Sequence, residues 1–331
     1  MFSSGPFEHH VVGIGNAIVD VLAKTDDAFL ERHNLVKGSM TLIDAEAAQT
    51  LYGEMGPARE ISGGSAANTI AGIATLGGKA AFIGKIASDE LGEIFAHDIR
   101  SLGVKFDTLP SDVAGPTARS FVLVTPDAQR TMNTYLGASQ ALSPVDIEEV
   151  LIKSSLITYL EGYLWDPEDA KQAFVKAMDI ARGAGRAVAL TLSDSFCVNR
   201  YREEFVGLVE NRINILFANE QEISALYQTE NFEEAVKHIT GKVELAILTR
   251  SEKGAVILSE DGRIDIPAKQ VTVRDTTGAG DLYAAGFLYA LTHGFALEKC
   301  GKLAALCASE VISHLGARPE ADLKEFLKDL D

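Results

Sequence analysis

Short apolar runs and longer amphipathic ones alternate along the second half of the chain. Residues 156–160, 187–192, 213–217 and 245–248 are mostly apolar runs of strand length, and residues 167–182, 202–210, 220–227 and 232–239 have the spacing of helices with one apolar face. Such alternation predicts a mostly parallel sheet with helices on both sides, an α/β fold. Earlier in the chain, residues 11–15 and 80–84 read as strands. Residues 65–76 and 91–102 read as helices, closed by Gly77-Gly78 and Gly103. Residues 255–258 and 263–266, around Asp261-Gly262, read as a hairpin, and helices over 281–292 and 298–314 complete the pattern.

Two β-rich pieces do not fit the alternation. Residues 18–24 and 38–43 read as strands with a polar stretch between them. Residues 119–125 and 130–136 flank Pro126-Asp127-Ala128-Gln129, a turn started by proline. The pieces, 16–57 and 113–137, are expected to form one small sheet on the edge of a core made of 1–15, 58–112 and 138–331. Hung there, the sheet can cover a cleft as a lid.

The chain has 331 residues and a net charge of −17, which disfavours nucleic acid and anionic membrane as partners. No apolar run approaches the ~20 residues needed to span a bilayer, and residues 1–10 have no signal-peptide pattern. A reducing cytoplasm is the expected setting. Cys197, Cys300 and Cys307 form neither a paired framework nor a metal spacing and read as packed thiols.

The most informative segment is Asp275-Thr276-Thr277-Gly278-Ala279-Gly280-Asp281, between a β-like run, 269–273, and a helix. Small residues before a helix leave backbone N–H groups convergent, a ready anion site. A carboxylate there repels the ligand unless it takes a proton while a phosphoryl group moves, which makes Asp281 a base for transfer to an alcohol. The alternative is that Asp281 is a plain helix cap. No Gly-Lys-Ser/Thr follows, so this is not the nucleotide P-loop, and Gly13-Ile14-Gly15 lacks the third glycine of a dinucleotide fingerprint, whose place is held by Ile18.

Other stretches carry paired readings. Asn16 and Asp20 can grip a vicinal diol where core passes into lid, or be turn residues. Gly63-Gly64, with Asn68 one helical turn on, can approach a ligand or serve close helix–sheet packing. Asn219 and Glu222 make a capping box or sit near hydrated Mg²⁺. Arg130 is a lid cation for a transferring phosphoryl group or a solvated hairpin arginine. Residues 249–254 can meet nucleotide phosphates.

Together these stretches resemble the ribokinase-like (PfkB) carbohydrate kinases, especially the adenosine kinase branch, over nearly the whole chain. The segment 275–281 resembles the family's C-terminal signature, Gly63-Gly64 with Asn68 the N-terminal one, Asn219-x-x-Glu222 the magnesium and phosphate motif, and Gly15-Asn16 with Asp20 the ribose-holding segment. The resemblance implies a three-layer core with nine or so strands and a β-sheet lid. It implies Asp281 as base and the amides of Gly278, Ala279 and Gly280 as anion hole. It places the acceptor on Asn16, Asp20, Gly64 and Asn68, and Arg130 at the phosphoryl group. Tyr163 is the candidate for packing against a nucleobase. Nucleotide contacts are expected at Asn219, Thr249, Gly254 and Thr276, with Asn219 and Glu222 holding Mg²⁺ through water. The family's Thr-x-Gly-x-x-Gly departs here to Thr249-Arg250-Ser251-Glu252-Lys253-Gly254.

The implied activity is ATP-dependent phosphorylation of a nucleoside 5′-hydroxyl, adenosine first, with MgATP as cosubstrate. A sugar kinase of the same fold and a noncatalytic nucleoside-binding protein are the alternatives. Whether a monovalent cation is required, and whether the chain is a monomer or a lid-paired homodimer, stay open.

Overall fold

A computed structural model of the protein describes residues 6–112, 114–127 and 129–330. Residues 1–5, residue 113, where the second lid piece was expected to begin, Ala128 of the expected turn, and Asp331, the last residue of the expected core, lie outside it. The apolar runs form strands covered on both faces, and every residue of Ser155–Glu161 is buried. They assemble into one eight-stranded sheet in the order Gly262–Ile266, Ala255–Ser259, Leu245–Thr249, Ile215–Asn219, Ala187–Thr191, Ser155–Glu161, His9–Ile14, Ala80–Ile83. The last six run parallel, and the hairpin strands add antiparallel at one edge. Among the described residues the sheet has eight strands where nine or so were expected, and a bridge from Ala81 to Lys105 continues the opposite edge.

The strand period of two splits the core into two layers. Ile215, Phe217, Leu245 and Ile247 pack toward helices Ser65–Thr75, Ala279–Thr292 and Leu297–Val311. Leu216, Ala218, Ala246 and Leu248 pack toward Glu168–Gly183, Glu220–Tyr227 and Phe232–Ile239. The three free cysteines are buried in this packing. No helix among the described residues is long and apolar enough to cross a membrane.

The β-rich pieces join in space as expected. Their sheet has the order Met40–Leu42, Arg130–Tyr135, Ala118–Val124, Ile18–Lys24, Ala58–Gly63. Ala58–Gly63, assigned from sequence to the core, pairs antiparallel with Ile18–Lys24, so the small sheet extends to residue 63. The polar stretch holds helix Asp27–Arg32, capped by Asp26, and Ala45–Glu54 follows, capped by Asp44. These helices bury one face of the sheet around Val21, Ala23, Phe121 and Leu123. The other face, with Ile18, Asp20, Met132 and Thr134, is left toward a cleft. The sheet grows away in opposite directions from His9–Ile14 and Ser155–Glu161, and the cleft opens at the carboxyl ends of these neighbours. The β-like run 269–273 is not a strand: Val271 and Val273 line the cleft instead, without strand partners.

Candidate active site

Helix Ala279–Thr292 begins after Gly278, whose φ of 77° is left-handed and whose Cβ, if present, would lie 2.9 Å from Ala317 Cα. Only glycine suits that position. Asp281 is therefore the third helical residue, and the plain-cap reading falls. Its Oδ1 accepts from Ser65 Oγ at 2.7 Å and its Oδ2 from Asn68 Nδ2 at 2.9 Å, both donors in the first turn of helix Ser65–Thr75. Two helix N-termini thus meet around one carboxylate. Burial pushes its pKa up to about 6, against the pull of Asn68, Ser65 and the Arg318 guanidinium. Asp281 lines a cleft of about 1280 Å³. Of the three expected anion-hole amides, that of Ala279 donates to Thr276 O at 3.2 Å. The helix start leaves the Gly280 and Asp281 N–H groups without intrahelical acceptors.

The acceptor end of the cleft is built on glycines. Gly64 has φ of 96°, and a Cβ there would stand 2.2 Å from Asn16 O. Gly63 makes room for Asp20, whose Oδ2 lies 2.4 Å from where its Cβ would be. Asn16 is fixed by Glu161, whose Oε1 accepts from the Asn16 backbone N–H at 2.8 Å and from Nδ2 at 2.6 Å. Glu161 Oε2 accepts from Ala66 N–H at 2.7 Å. Gly15 is required beside it, since a Cβ there would fall 2.3 Å from Oε2. Among the described residues, the Oδ1 atoms of Asn16 and Asn68 are buried without a donor. Burial pushes Asp20 and Glu161 each up to about 7. Tyr163 lines the cleft and donates its hydroxyl to Ser193 O at 3.2 Å.

At the other end, Asn219 and Glu222 form a closed capping box. Glu222 Oε2 accepts from Asn219 N–H at 2.9 Å, and Asn219 Oδ1 accepts from Glu222 N–H at 2.8 Å. Both also line the cleft, together with Thr249, Gly254 and Thr276. Ser251, where the family pattern has glycine, takes the left-handed φ of 49°, so the chain keeps the bend with a residue less suited to it.

The cleft brings together every residue expected from sequence except Arg130. Arg130 forms an ion pair with buried Asp275 and donates from Nη1 to Thr277 Oγ1 at 3.1 Å. Asp275 also accepts from Thr277 N–H at 2.8 Å and Gly316 N–H at 2.7 Å. The lid is thereby fastened to the loop that precedes Asp281, while among the described residues Arg130 Nη2 is buried without an acceptor.

Sequence reasoning missed Ser65, Glu161 and Arg318. Ser65 stood inside a motif that was read for its glycines. Glu161 ends the apolar run of strand Ser155–Glu161, and an acid closing a buried strand was an available signal. Arg318 had none.

Residues 31–323 match the pfkB family carbohydrate kinase profile. The crystal structure of adenosine kinase from Sinorhizobium meliloti is 51% identical, with a TM-score of 0.91, and the match covers 98% of this chain and 99% of that one. That of a probable sugar kinase protein from Rhizobium etli is 50% identical, with a TM-score of 0.91 and 98% of both chains covered. Among curated proteins, probable fructokinase-6, chloroplastic, of Arabidopsis thaliana is 29% identical over 82% of this chain and 74% of its own. With the fold, the cleft and both signatures in place, the chain belongs to the pfkB family of carbohydrate kinases, which phosphorylate hydroxyl groups of sugars and nucleosides.

Proposed function

We propose that the protein transfers the γ-phosphoryl group of ATP to the 5′-hydroxyl of a nucleoside, adenosine foremost, with Asp281 as general base. The observation that carries this is the Asp281 carboxylate, held by Ser65 and Asn68 at a helix N-terminus and open to the cleft. Its pKa of about 6 leaves it mostly ionised yet basic at neutral pH. The acceptor oxygen attacks the γ-phosphorus as its proton passes to Asp281, and ADP leaves. The helix amides stabilise the charge that develops on the migrating group, while Arg130 holds the lid to the loop before Asp281 through Asp275. Asp20, Asn16 and Asn68 hold the sugar hydroxyls.

Mg²⁺ fits the nucleotide end as a hydrated ion. Glu222 is pushed up to about 7 by burial and by the neighbouring charges of Asp194 and Asp281, so an added cation would relieve the site. Among the described residues no group of three or more His, Cys, Asp or Glu side chains could enclose a metal, which favours contact through water from Asn219 and Glu222. When bound, Mg²⁺ neutralises phosphate charge.

The nucleoside reading is supported by an apolar wall beyond the diol site. Ile18, Leu42, Met132, Leu136 and Phe196 line it, and Leu42 and Phe196 are 53% and 79% exposed. A nucleobase would cover these side chains and a free sugar would not. The fructokinase relatives favour the second reading, a sugar kinase with the same base. Specificity constants for a panel of nucleosides and sugars with MgATP decide between them. Turnover confined to free sugars would remove the nucleoside assignment, and no turnover on any acceptor would remove the kinase reading.

A further inference from the structure

Arg318 belongs to no motif and lies in the segment after helix Leu297–Val311. Its three hydrogen bonds all go to neutral acceptors. Nε donates to Ser62 O at 2.9 Å, Nη1 to Ala67 O at 3.0 Å and Nη2 to Ser62 Oγ at 3.1 Å. These contacts fix the guanidinium at a junction. Ser62 is in the lid strand Ala58–Gly63, and Ala67 is in the helix turn whose Ser65 and Asn68 grip Asp281. Asp20 lies on the adjoining strand against Gly63, and Asp98 accepts from Ser62 N–H at 3.1 Å. The charges acting on Arg318 are those of Asp20, Asp281 and Asp98.

Two carbonyls and a hydroxyl could be served by a neutral donor. Arg318 is half-buried, and holding a full charge partly out of water is unfavourable unless that charge is used. We propose that Arg318 is a positioning residue for charge: its fixed cation favours the charged forms of Asp20 and Asp281, one to accept the acceptor's hydroxyl hydrogens and the other to take the proton. The proposal rests on the reading of Asp281 as base. The groups facing Asp281 are otherwise the acids Asp20, Glu161 and Glu222 and the phenols of Tyr159 and Tyr163. Arg318 is the cation that lowers Asp281, and it lowers Asp20 as well. Removing it raises both carboxylates, so the acid limb of activity moves to higher pH.

The test compares wild type with Arg318→Met and Arg318→Lys as full-length proteins. Carboxyl carbon-13 titration of aspartate-labelled protein, with D20N and D281N to assign the signals, reads both midpoints without any substrate. Arg318→Met should raise both by about one unit, as expected for loss of a nearby opposite charge. The acid limb of kcat/KM should follow, so activity falls about tenfold more at pH 6 than at pH 8.5, and Arg318→Lys should restore both. If Arg318→Met does not fold, Arg318→Gln, which can still donate to Ser62, is read in its place. Unchanged midpoints, or a loss of activity uniform across pH, would overturn the proposal. Wild type without turnover on any acceptor would instead overturn the kinase reading, and the titration would still decide the role of Arg318.

Discussion

Replacing Glu161 by glutamine preserves volume and removes one acceptor. Glu161 Oε1 serves two donors on Asn16 and Oε2 serves Ala66 N–H, and the side chain is 1% exposed. A glutamine oxygen can serve one side only, so its NH₂ group confronts a buried N–H. That lost acceptor costs about 1–3 kcal/mol. The opposing effect is relief from burying a charge. Glu161 is raised to about 7 from an ordinary 4.5, so its contribution to stability is fully present below about pH 4.5 and is lost as pH rises through 7. Glutamine has no such loss, and the relief grows to about 3 kcal/mol at most above pH 7. At pH 4 the relief is still negligible, so the lost acceptor wins and Glu161→Gln should be about 1–3 kcal/mol less stable in urea unfolding. By pH 6 the relief has reached about 2 kcal/mol and the two effects nearly cancel. Asn16 loses its post at both pH values, so KM for the acceptor should rise about tenfold, with kcat within about threefold because Asp281 is untouched. Equal urea midpoints at pH 4 together with an unchanged KM would refute the reasoning.

Arg130→Met leaves Asp275 buried without its cation. It should destabilise the protein by about 3 kcal/mol and lower kcat; a stable, fully active variant would contradict the lid fastening. Gly64→Ala forces a Cβ into Asn16 O, 2.2 Å away, at a φ of 96°. Acceptor KM should rise about tenfold or more, and isothermal titration with a nucleoside checks it. Asp20, Glu161 and Glu222 at about 7 and Asp281 at about 6 all lie above their ordinary values. Their contribution is lost as pH rises through 6–7, while His10, lowered to about 4, His9, and carboxyls lowered by a basic partner, such as Asp127 and Asp265, act oppositely as pH falls. The urea midpoint of the free protein should therefore fall from pH 5 to pH 8, and MgATP should reduce the fall; a rising midpoint would contradict the burial of these acids.

The two-layer core was legible because helices and buried strands impose different periods on apolar residues, and both Glu220–Tyr227 and Phe232–Ile239 begin and end where their patterns do. The small sheet was less so. Ala58–Gly63 reads Ala-Arg-Glu-Ile-Ser-Gly, an edge strand with its first two residues exposed, so little apolar alternation marks it. The run 269–273 carried the opposite trap: its β-branched valines line the cleft, not a strand face. In the site, Gly64, Asn68 and Asp281 announced themselves through local glycine–helix grammar. Ser65, Glu161 and Arg318 act through contacts 95 to 256 residues apart in sequence, which no local pattern encodes.

The central claim is tested most directly by Asp281→Asn, which keeps the shape of the side chain and removes the base. With MgATP and the best acceptor of the panel, kcat should fall by about 10²–10⁴-fold. The nucleoside's dissociation constant should stay within about threefold of wild type. A variant that turns over within tenfold of wild type would contradict the account.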